Sequence, residues 1–82
     1  MTDNRIGVVG ILVERKESAH AINTILSEHR EIVVVRIGVP YRERGLSIIS
    51  LIIDGSTDQV GAMTGKLGQL PGVKVKTALL TK

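Results

Sequence analysis

The chain has 82 residues, room for one domain spanning 1–82 and too few for two. Its 43% hydrophobic and 23% charged residues exclude a disordered chain, and the lack of cysteine excludes disulfides, thiolate metal sites and a cysteine nucleophile. The net charge is a mild +3 and Tyr41 is the sole aromatic residue, so stacking platforms and a clustered basic surface are missing and no direct nucleic-acid binding is expected.

The first predicted element is a strand from Arg5 to Glu14. Ile6, Val8 and Leu12 point one way and Val9, Ile11 and Val13 the other, with Gly7 and Gly10 on opposite faces. A strand apolar on both sides is buried on both sides, which makes it central in its sheet. A helix is predicted from Lys16 to His29, with Ile22, Ile25, Leu26 and His29 on one stripe and His20 near the opposite side. Ile32–Val39 is rich in β-branched residues and reads as the second strand. The polar connection Pro40-Tyr41-Arg42-Glu43-Arg44-Gly45 suits a hairpin into a third strand, Leu46–Asp54, again apolar on both faces.

The second helix has a sharp start. Ser56 with Gln59 three residues later fits a capping box, Asp58 puts negative charge in the first turn, and Val60, Met63 and Leu67 form the inward stripe. Pro71-Gly72 closes it, and Val73–Leu80 follows as an edge strand on which Lys74 and Lys76 alternate with Val73, Val75 and Thr77. The order is β-α-β-β-α-β. Right-handed crossovers then give an α+β, ferredoxin-like fold: a four-stranded antiparallel sheet with both helices on one face and strands one and three in the middle.

That fold leaves the other face of the sheet bare. Central strands with aliphatic side chains there would expose a patch of the kind that marks an interaction site, so a homo-oligomer, dimer or tetramer, is expected.

Three segments carry a resemblance. They are Arg36-Ile37-Gly38-Val39-Pro40-Tyr41-Arg42-Glu43, Ile48-Ile49-Ser50-Leu51-Ile52-Ile53, and the run from Gly61 to Thr77 that holds Gly65, Gly68, Pro71 and Gly72. The chain resembles ACT domains and the C-terminal sensor domain of the nickel-responsive repressor, and most of all the iron-only hydrogenase system regulators. The resemblance implies an ACT-like, oligomeric regulatory protein of bacterial type. Two departures qualify it. The turn after strand one is Glu14-Arg15-Lys16-Glu17, without the glycine or proline of amino-acid-binding ACT domains, and no cysteine or close histidine pair matches the metal ligands of the nickel sensor.

No catalytic constellation is legible: no serine has a strained-turn context, and the carboxylates fall at element ends or on outer faces. The chain is therefore read as a non-enzyme without a cofactor. His20 and His29 lie nine positions apart on diverging sides of one helix, so no metal site is expected. Two groups remain as ligand or interface candidates. Gly61, Gly65 and Gly68 form one stripe on helix two, where each glycine costs about 1 kcal/mol relative to alanine and so implies a close neighbour. Arg36, Tyr41, Arg42 and Arg44 offer guanidinium forks for an anion. The resulting expectation is a regulatory module sensing an unknown small effector at a subunit interface; a module that docks a protein partner without a ligand, or a metal sensor, are the alternatives. No apolar run reaches membrane-spanning length and Met1-Thr2-Asp3-Asn4 lacks a basic leader, so a cytoplasmic protein is expected.

Overall fold

The structure is a computed structural model that describes residues 3–81. Its elements are β1 (Arg5–Val13), α1 (Ala19–Glu28), β2 (Val33–Tyr41), β3 (Leu46–Gly55), α2 (Thr57–Gly68) and β4 (Val73–Leu79). The strands form one antiparallel sheet in the order β2-β3-β1-β4, with the two apolar strands β1 and β3 in the centre as their patterning requires.

Both helices cover the same face. Val9 and Ile11 of β1 and Leu51 and Ile53 of β3 pack with Ile22, Ile25 and Leu26 of α1 and Val60, Met63 and Leu67 of α2, all buried. Helix α2 begins as its sequence dictates. Ser56 Oγ accepts from the Gln59 N–H at 3.1 Å, and Gln59 Oε1 accepts from the Ser56 N–H at 2.9 Å.

Helix α1 starts later than its periodicity suggests. Lys16–Ser18 is a 3₁₀ turn, and the α-helix begins at Ala19. The reason is a contact far away in sequence: the buried Ser18 hydroxyl donates to the Pro71 carbonyl at 2.7 Å, while the Glu14 N–H donates to the Gly72 carbonyl at 2.7 Å. Gly72 has φ of 67°, in the left-handed region, and a Cβ there would lie 2.6 Å from Arg15 Cγ. The turn after β1 is thereby fastened to the turn before β4.

Strand β2 also departs from expectation. It runs on through Pro40 to Tyr41, and Ile32 belongs to a preceding 3₁₀ turn, Arg30–Ile32, from which it is buried. Proline is tolerated here because β2 is an edge strand. Residues 38–45 are exposed throughout, so the outer half of the β2–β3 hairpin runs past the helices, and the molecule extends 44 Å along its longest axis against 19 and 16 Å across.

Candidate functional site

Cross-strand pairing fixes which side chains share the helix-free face, because directly paired residues point the same way. Three rows run across the strands in the order β2, β3, β1, β4. The first holds Val35, Ile52, Val8 and Ala78; the second Ile37, Ser50, Gly10 and Lys76; the third Val39, Ile48, Leu12 and Lys74. Tyr41 pairs with Leu46 beyond the third row, and Ile6 with Asp54 beyond the first. Ile6, Val35, Ile37, Val39, Tyr41, Ile48 and Ile52 are exposed large hydrophobics. They form one aliphatic surface bordered by the β4 lysines. Each such side chain, taken alone, is unremarkable on a protein surface; a contiguous field of them is not.

Residue parity on β3 follows directly. Ile48 and Ile52 belong to the bare face, whereas Ile49 packs against the core beneath the helices. Strand β2 adds to this surface beyond the central strands from which it was expected, and the alternation of Val35, Ile37, Val39 and Tyr41 with Arg36, Gly38 and Pro40 carries that signal in the sequence.

The two candidate groups lie on opposite edges of the sheet. Gly61, Gly65 and Gly68 form a bare stripe on α2 facing β4, and together with Thr64, Val73 and Val75 they line an open groove of about 530 Å³. A Cβ built at Gly61, Gly65 or Gly68 meets nothing within 4 Å. The close neighbour that three helical glycines imply is therefore not supplied by this chain. The Thr64 hydroxyl in the groove is already used, donating to the Val60 carbonyl at 2.9 Å.

The arginine group is not one site. Arg36 points to the helix side of β2 and donates through its guanidinium to Asn23 Oδ1 of α1. Tyr41 lies on the opposite face, and Arg42 and Arg44 sit in the 3₁₀ turn at the tip of the hairpin, which at about 3.3 Å per residue places them roughly 20 Å from Arg36. The fork geometry that would hold one anion needs these cations together, and β2 spreads them apart.

The histidines also separate. His20 is exposed on α1, and His29 follows the helix end, where its Nε2 lies 3.3 Å from Lys66 Nζ. Among the described residues no group of three or more His, Cys, Asp or Glu side chains gathers closely enough to hold a metal ion. Protein purified without a histidine tag is expected to retain no stoichiometric nickel, zinc or iron after dialysis, which elemental analysis would check. No helix among the described residues is long and apolar enough to cross a membrane.

A β-α-β-β-α-β chain with two helices on one face of an antiparallel sheet is an α+β domain of the ferredoxin-like, ACT-like class. Its fold matches the ACT domain of GTP pyrophosphokinase from Chlorobium tepidum (TM-score 0.70, 17% identity, covering 98% of this chain and 90% of that one) and the de novo designed protein Foldit4 (TM-score 0.74, 14% identity, covering 96% and 98%). Residues 5–77 match the TM1266-like family, described as "Iron-only hydrogenase system regulator, putative", and the chain belongs to that family. It is 37% identical to uncharacterized protein TM1266 from Thermotoga maritima, with a TM-score of 0.91 over 95% of this chain and 99% of that one. No curated protein matches.

Proposed function

We propose that this chain is a non-catalytic, homo-oligomeric regulatory module that assembles through the helix-free face of its sheet and senses a small effector at the margin of that interface. The observation that carries the reading is the continuous aliphatic surface made by β2, β3 and β1, which water contacts in a lone copy. Membership of a family described as a regulator supports the regulatory part.

The groove between α2 and β4 is the proposed effector position. Its outer wall is β4, and the Lys74 and Lys76 side chains on the far side of that strand border the aliphatic surface. A ligand resting on the glycine stripe would thus lie beside the assembly face, where occupancy and association can be coupled. The hairpin arginines Arg42 and Arg44 and the ring of Tyr41 remain as rim contacts for an anionic partner.

Docking of a different protein without any ligand is the second reading. It is favoured by one observation: of the two threonine hydroxyls that line the groove, Thr64 and Thr77, that of Thr64 is already hydrogen-bonded within its own helix. A thermal-shift screen against amino acids, nucleotides and divalent cations separates the two. A binder raises the melting temperature by mass action, about 2.7 kcal/mol at a hundredfold excess over Kd. A flat screen supports docking.

Gly65→Ala sharpens the test. Since its methyl meets nothing in the chain, it should stabilise the fold by about 1 kcal/mol, roughly 4–8 °C in melting temperature for a domain of this size. The same methyl would intrude on a molecule seated on the stripe, so the effector-induced shift should shrink. A variant that is more stable, equally oligomeric and equally responsive removes α2 from the site.

A further inference from the structure

The sheet ends at β4, a strand of seven residues that pairs only with β1, in unbroken register. The Leu80 N–H donates to the Ile6 carbonyl and the Glu14 N–H to the Gly72 carbonyl, so the even-numbered residues between them turn their backbone groups toward β1. The N–H and C=O groups of Val75, Thr77 and Leu79 therefore point out of the sheet, with no hydrogen-bond partner among the described residues. The opposite edge is blunted, because β2 carries Pro40 and a bulge between Val33 and Val35.

We infer that this open edge takes up an extended acidic segment of a partner protein, which adds to the four-stranded sheet as a further antiparallel strand beside β4. The inference rests on the docking reading of the groove and gives it a partner class; it does not depend on what covers the helix-free face. Backbone pairing supplies affinity in such strand addition, and the alternating side chains supply selectivity. On the helix side, side chains of the added strand align with Val75 and Thr77 and enter the groove, where Gly61, Gly65 and Gly68 of α2 leave the way clear. On the other side they align with Lys74 and Lys76.

Charge selects the occupant. Lys76 has no carboxylate within ion-pair distance among the described residues, and Lys74 lies 3.9 Å from Glu14 with both side chains exposed. Opposed side chains on neighbouring strands have Cβ atoms about 5 Å apart, so acidic residues opposite these lysines stabilise the pairing and basic ones weaken it. A second copy of the chain fits poorly. Strand β4 paired over its whole length with another β4 sets Lys76 against Lys76, and β2 of another copy offers aliphatic side chains and Arg36 but no acid. The lysines that repel a like strand thus admit one that alternates acidic with small apolar residues.

The probe is a capped hexapeptide, Glu-Val-Glu-Val-Glu-Val, titrated into isotope-labelled full-length protein and followed by NMR. Binding is expected to shift the amides of Val75, Thr77 and Leu79 and to protect them from exchange. Methylating the valine nitrogens, which face β4 in this pairing, should weaken binding at least about tenfold, while methylating the glutamate nitrogens, which face away, should change it little. Lys76→Glu should weaken the acidic peptide at least about tenfold and admit the Lys-Val counterpart that the wild type refuses. No binding at millimolar peptide, equal binding of the basic peptide, or equal loss from either set of methyl groups overturns strand addition. With a flat small-molecule screen, that failure leaves docking standing at another surface. A small molecule that binds the groove overturns the docking reading and the edge proposal together.

Discussion

Ile48→Lys should dissociate the assembled protein while leaving each copy folded, and Ile49→Lys should do the reverse damage, unfolding the domain itself. The two residues are neighbours in sequence and opposite in environment. Ile48 is 40% exposed on the bare face, paired with Leu12 and Val39, whereas Ile49 packs against the buried core. A lysine at 48 is solvated in a lone copy but is buried without a counterion when a second copy covers it. An uncompensated buried charge costs about 3–5 kcal/mol, so the dissociation constant should rise at least about 100-fold. A lysine at 49 must either enter the core or snorkel around it, and a domain of this size has only about 4–12 kcal/mol of stability to lose. Sedimentation velocity and thermal melts on both variants check the pair. If the two melt alike and sediment alike, the assignment of faces is wrong.

Gly7→Ala should destabilise the domain, in contrast to Gly65→Ala. A Cβ at Gly7 would lie 2.7 Å from the Ala78 carbonyl oxygen and 3.2 Å from Leu79 Cα, both backbone atoms of β4. Neither side can yield without moving a strand of the sheet, and overpacking of this kind typically costs about 1–3 kcal/mol. At about 4–8 °C per kcal/mol, the melting temperature should fall by at least about 4 °C. Gly38→Ala, where a Cβ meets nothing within 4 Å, is the control and should change little. An unchanged melt for Gly7→Ala would mean that β4 is not held against β1 as closely as the register Gly7↔Leu79 implies.

These two cases show where sequence patterning is informative and where it stops. The centrality of β1 and β3 was legible because both alternating faces of each are aliphatic, a property of the strands themselves. Which parity turns away from the helices was not, for the same reason: Ile48 and Ile49 are equivalent until α1 and α2 choose a side. The start of α2 was legible because a capping box is closed within four residues. The late start of α1 was not, since Ser18 is held by Pro71, 53 positions away. Strand β2 reads as ending at Val39 because the run from Pro40 to Gly45 is polar, yet it continues to Tyr41, since on an edge the missing N–H of Pro40 leaves no partner unsatisfied.

The candidate residues divide along the same line. The stripe of Gly61, Gly65 and Gly68 draws attention because the cost of glycine in a helix is local. Gly7 and Gly55, two glycines with steric demands inside the chain, give no local sign, because what crowds them comes from β4 and from Ile32. The arginines looked like one cluster because they are close in sequence. An extended strand separates neighbours in sequence more than any other element, and Arg36 parts from Arg42 and Arg44 accordingly.

The proposed role stands on the helix-free face being covered by another copy, and sedimentation equilibrium of the untagged wild-type protein at micromolar concentration tests it most directly. The account predicts a mass of at least two chains of 8.8 kDa that is halved or lower in Ile48→Lys. A wild-type mass of 8.8 kDa across that concentration range would contradict it.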